Sequence, residues 1–111
     1  MSVNFEKFKI TYQDQNLRFF YKLLPEAKDH FKNVLKYLEK SLKENNKDTW
    51  FTGVMAMQST AEVMCFDRLK GYIVKMNEPN RENFKEIKRM MEEIFLLEIP
   101  SSKKKWYKFW S

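Results

Sequence analysis

The most regular alternation of apolar and polar positions in the chain runs from Ala27 to Leu42. Ala27, Phe31, Val34, Leu35, Leu38 and Leu42 fall on one helical stripe, and Lys28, Lys32, Lys36, Glu39 and Lys43 fall on the opposite one. This spacing predicts a helix over 26–45. Pro25 opens it, because proline suits a first helical turn and pushes the residue before it out of the helical region. Upstream, Leu17, Phe20, Tyr21 and Leu24 at i, i+3, i+4 and i+7 predict a separate helix from about residue 14 to 24. Before that, Phe8, Ile10 and Tyr12 alternate with Lys9 and Thr11, the period of a strand. The expectation there is a short extended arm over 3–12, or a small β-hairpin turning at Gln13–Asn16.

Beyond the loop at 43–48, Asp48 or Thr49 is expected to cap the next element. From Trp50 to Met76 the pattern is helical but too long and too apolar for one surface helix. Ser59 and Glu62 have the spacing of a capping box and divide the stretch into 49–57 and 60–76, unless it is one helix with a polar patch at 58–60. Met57, Ala61, Met64, Cys65, Leu69, Tyr72, Ile73 and Met76 should lie largely inside. Pro79 marks the start of the last long helix, whose stripe is Phe84, Ile87, Met91, Ile94 and Phe95, continuing to Leu97. Pro100 with Ser101 and Ser102 ends it. The reading is an all-α, compact bundle of four to five helices, one domain over 1–111, with a basic aromatic tail at 101–111. Two glycines and three prolines are too few for a turn-rich sandwich or barrel.

Charge changes this picture in one place. Residues 1–99 carry 17 basic against 15 acidic side chains, whereas 100–111 carry four lysines and no acid. The body is nearly neutral and the tail is the basic element, so electrostatic arguments about partners concern mainly the tail. A single cysteine makes no disulfide framework. The N-terminus lacks a signal-like apolar run, and no stretch approaches the ~18 apolar residues of a spanning helix, so a cytoplasmic protein is expected. Lysine outnumbers arginine seventeen to four and asparagine is frequent, which points to an AT-rich source such as a low-GC bacterium, its phage or its plasmid.

Candidate chemistry is sparse. His30 and Cys65 are the only histidine and cysteine, so a nucleophilic pair would require them to meet across helices. His30, beside Asp29 and one turn after Glu26, reads as a solvated helix residue; Cys65 reads as a small buried hydrophobe. A zinc site needs more Cys and His than exist here, and a di-iron bundle needs Glu three residues before each His, where this chain has Ala27. Met55, Met57, Met64, Met76, Met90 and Met91 sit in apolar helical stretches and read as core filling rather than copper ligands. The glycines are isolated, so no phosphate-cradling loop exists. Acidic residues such as Glu82, Glu86, Glu92 and Glu93 have Lys or Arg at helical spacing and read as a solvated face. Neither an enzyme nor a cofactor is expected. A helix-turn-helix over 48–76 would present Glu62, Asp67, Arg68 and Lys70 to DNA, a mixed and poor reader.

The tail remains. Lys103, Lys104, Lys105, Trp106, Tyr107, Lys108, Phe109 and Trp110 interleave cations with aromatics. They form the candidate partner-binding element, with four readings. The rings pack back on the bundle with the lysine heads in water. Or they stack unpaired bases while the lysines meet phosphates, lie on an anionic membrane surface, or enter an acidic groove of another protein. A secondary interface is expected at Phe19, Phe20, Tyr21 and Trp50, because three adjacent rings cover more than one helical face; a homodimer would also use it. The function expected is a non-enzymatic helical module that binds and modulates a larger protein, as accessory proteins of bacteria, phages or plasmids do. The alternatives are a nucleic-acid-associated protein using the tail, and a membrane-associating bundle of the immunity type, for which no motif speaks.

Overall fold

Five helices and no strand make up the described residues, 3–76 and 78–97, of the computed structural model: α1 (Phe5–Tyr12), α2 (Arg18–Glu44), α3 (Lys47–Val63), α4 (Asp67–Ile73) and α5 (Arg81–Phe95). The all-α bundle follows from the apolar stripes. Among the described residues no helix is long and apolar enough to cross a membrane.

The N-terminal arm or hairpin is corrected to a helix. The Asn4 side chain caps α1 by accepting from Lys7 N–H at 3.1 Å. Phe8 faces the core with no exposure, and Phe5 and Tyr12 pack against it, giving the i, i+3, i+7 spacing of a helix. Ile10, which completed the strand-like alternation, is 76% exposed.

Pro25 does not begin a helix either; it sits inside the 27-residue α2. Proline offers no N–H to the carbonyl one turn back, but its ring is on the exposed side and displaces no core side chain. The buried series Phe20, Leu24, Ala27 and Phe31 runs through it without a break in period. Burial along that face holds the two predicted helices as one. Asn46, rather than Asp48 or Thr49, caps α3: its side-chain oxygen accepts from the N–H groups of both.

No break falls at Ser59, whose hydroxyl donates back to the Met55 carbonyl within α3. The chain turns later, over Met64–Phe66, with Cys65 in the left-handed region at φ 58°. Met64, Cys65 and Phe66 are buried there, so the turn is part of the core. Asn80 caps α5 through Asn83 N–H.

α2 packs most extensively on α3; α4 rests on α3, and α5 closes against α2 and α4. A seam of rings ties the layers together. Phe8 meets Phe20 edge-on at 5.2 Å, Phe20 meets Phe66 at 6.4 Å, and Phe31 meets Phe66 at 5.9 Å. Trp50, Met57, Leu69, Ile73, Ile87 and Met91 fill the remainder with no exposure. Of the methionines expected inside, Met55 is the exception at 44% exposed.

Candidate interaction surface

Helix α3 carries an apolar ridge on its outer side. Phe51, Met55, Ser59 and Val63 stand at four-residue steps, and the three apolar members are 57%, 44% and 46% exposed. The ridge runs into a groove of about 290 Å³ between α2 and α3. Leu23, Glu26, Ala27 and His30 line it from α2, and Ser59, Thr60, Val63 and Met64 from α3 and its end.

Beyond Val63 the apolar surface continues onto α1 and the start of α2. The Tyr12 hydroxyl donates to the Val63 carbonyl at 2.9 Å, and its ring lies 5.4 Å from that of Phe19, which is 40% exposed. Near the other end, exposed Tyr37 approaches the α3 backbone at Gly53, where an added Cβ would stand 3.1 Å from the Tyr37 ring.

His30 is half-buried rather than solvated. Its Nε2 lies 3.2 Å from the Ala56 carbonyl oxygen. A carbonyl can only accept, so Nε2 carries the proton and the ring bridges α2 to α3. Cys65 is buried, and burial raises its thiol pKa, which leaves it little thiolate character. His30 thus joins α2 to α3 and Cys65 packs in the core, and among the described residues no cluster of three or more His, Cys, Asp or Glu is placed to hold a metal ion.

The secondary-interface residues divide. Phe20 and Trp50 have no exposure and belong to the core, while Tyr21 is half-buried and Phe19 reaches the surface. Of these four, Phe19 is the one that stands at the surface. The tail residues Lys103 to Trp110 lie outside the described residues. The ridge and groove were not foreseen. The ridge has one signal in the sequence, the placement of Phe51, Met55 and Val63 on an otherwise polar side of α3.

Charge is distributed unevenly around the groove. Glu26 lines it and Asp29 follows one turn on, and no ion pair joins either among the described residues. Further along α2, Lys32 lies over the Phe95 ring at 5.8 Å, and Lys36 and Lys40 are exposed. Lys28 donates through Nζ to the carbonyl of Leu97, which fixes the end of the described chain against α2.

Comparison with protein-family models, curated proteins and solved structures finds no match to this chain.

Proposed function

We propose that the protein is a non-enzymatic, cytoplasmic helical module that binds a larger protein and modulates it, using the α3 ridge and the α2/α3 groove. One observation carries this reading: Phe51, Met55 and Val63 are exposed in a line that opens into an apolar groove. Scattered exposed apolar residues need no explanation, but a line of them beside a concavity is how partner surfaces are built. The structural roles of His30 and Cys65 support a binding rather than a catalytic reading.

The test places a photo-crosslinker at Met55 and, as control, at exposed Lys85 on α5. A specific partner is captured from Met55 and not from Lys85. Replacing Phe51, Met55 and Val63 together by Glu lowers affinity for the purified partner at least about a hundredfold, the scale of losing central anchors. Equal capture at both positions, or unchanged affinity in the variant, overturns the reading.

A second reading is association with nucleic acid, favoured by the exposed Lys36 and Lys40 on α2 together with the lysines of the tail. It predicts oligonucleotide binding that falls steeply with salt and does not depend on the ridge.

A further inference from the structure

We infer that the partner element held at the α3 ridge and the α2/α3 groove is an amphipathic helix with an arginine or lysine at one end of its apolar face. The inference rests on the ridge and groove being the binding surface, and shape, length and charge point to this occupant.

An added strand needs an open sheet edge, and the described residues contain no strand. A proline-rich segment docks between aromatic rings, whereas the groove walls are the aliphatic Leu23, Ala27, Val63 and Met64. An acidic or phosphorylated motif needs an arginine cluster, and the lining of this groove holds no Lys or Arg. A helix is the mode that remains. Phe51, Met55, Ser59 and Val63 form a four-residue row beside a concavity, the relief on which a second helix packs ridge into groove. The row from Phe51 to Val63 is about 18 Å long at about 1.5 Å rise per residue. That length matches three to four turns of a partner helix with apolar side chains at i, i+4, i+7 and i+11.

Charge places a cation at one end of that helix. Glu26 shares the groove with Val63, at the end of the ridge away from Phe51, while Tyr37 stands beside Gly53, nearer Phe51. No ion pair joins Glu26 or the nearby Asp29 among the described residues, whereas Glu62, next to Val63, is already paired with Lys70 at 3.3 Å. His30 donates its Nε2–H to the Ala56 carbonyl, which leaves Nδ1 as a second acceptor. A carboxylate and a ring nitrogen, with no cation in the lining, suit a guanidinium or ammonium brought by the occupant. Glu26 is exposed, so this pair sets register and association rate more than affinity.

The experiment selects displayed peptides of about 18 residues, five turns of helix, randomised at every position, on the full chain. The enriched sequences are then measured as synthetic peptides. They are expected to carry apolar residues at helical spacing with Arg or Lys at one end, and to gain helical circular dichroism on binding. Replacing Phe51, Met55 and Val63 together by Glu weakens them at least about a hundredfold. Glu26→Lys, an exposed change that leaves the core untouched, weakens them about tenfold, and exchanging the peptide's cation for glutamate restores binding to that variant. Enriched peptides that stay extended, lack a cation, or bind the Glu26→Lys chain unchanged overturn the inference, as does failure to enrich any peptide. So does self-association of the chain that disappears in the ridge variant, which would give the surface to a second copy. Extended or uncharged peptides that still depend on Phe51, Met55 and Val63 leave the proposed binding surface standing. Peptides indifferent to the ridge variant count against the surface itself, so the two failures are distinguishable.

Discussion

At the scale of single residues, the two glycines show opposite environments. A Cβ built on Gly53 would stand 2.7 Å from Leu38 Cδ2 and 3.2 Å from its Cγ, and Leu38 has no exposure. Gly53 is where α3 approaches α2 closely enough to exclude a side chain. A Cβ on Gly71 would meet nothing within 4 Å. Replacing glycine by alanine in a helix gains about 1 kcal/mol in propensity, whereas overpacking a filled core costs about 1–3 kcal/mol. Gly71→Ala should therefore stabilise the fold by up to about 1 kcal/mol, and Gly53→Ala should destabilise it by a similar amount. Urea denaturation followed by circular dichroism measures both, and equal signs would contradict the packing described. Nothing in the sequence distinguished these glycines, since both sit in helical pattern. Cys65 was opaque for a related reason: a left-handed residue is usually glycine or asparagine, and here the turn is held by its buried neighbours instead.

At the scale of elements, the apolar stripes were legible and the boundaries were not. The stripes of 27–42 and 84–97 fall on the faces that α2 and α5 bury or half-bury, because a 3.6-residue period survives any choice of ends. Local punctuation misled where tertiary packing outweighed it. Pro25 read as a stop, yet the face from Phe20 to Phe31 is buried across it. Phe8, Ile10 and Tyr12 read as a strand, since three residues cannot separate the two periods when Phe5 is left out. The groove was not legible at all, because it arises where α2 and α3 meet and neither helix encodes it alone. Pro25→Ala should restore a missing N–H inside α2 and stabilise the fold by about 1–3 kcal/mol, less what the freer unfolded chain takes back. Amide exchange along α2 provides the check: protection of the turns on either side of residue 25 should rise, and unchanged protection would mean that the proline is not a weak point.

At the scale of the whole molecule, α1 is held to the rest by a polar clasp as well as by its rings. Asn4 Nδ2 donates to Asp67 at 3.0 Å, Lys7 Nζ donates to the same carboxylate at 3.2 Å, and Asn4 N–H donates to the Cys65 carbonyl at 2.9 Å. The Asn4 hydrogen bond and then the Lys7 contacts hold the Asp67 carboxyl below the usual carboxylate range, and its hydrogen bond to Asp67 raises the Lys7 ammonium. A carboxylate with a depressed pKa stabilises the fold above its unfolded value, and that contribution is lost as pH falls through the folded one. The raised ammonium acts on the other side: its share is present below its unfolded value and lost as pH rises through the folded one. Both groups are well exposed, so the effect is modest and screened by salt. The expected outcome is that Asp67→Asn loosens α1 at neutral pH, read as faster amide exchange at residues 8–12, and that the difference from wild type closes in acid. A difference that persists well below the carboxylate range would mean that shape, not charge, makes the clasp.

The clasp also has a consequence during synthesis. Asn4 and Asp67 are 63 residues apart, so α1 waits for an anchor made much later. At about 5–20 residues per second, that interval is roughly 3–13 s on the ribosome. For that time Phe5 and Phe8 lack part of the surface that finally covers them, and loop-closure entropy favours nearer contacts first. The pairing of α2 with α3 is therefore expected to form before α1 is locked in place. Until then the apolar face of α1 is open to chaperones and to misassociation between neighbouring ribosomes.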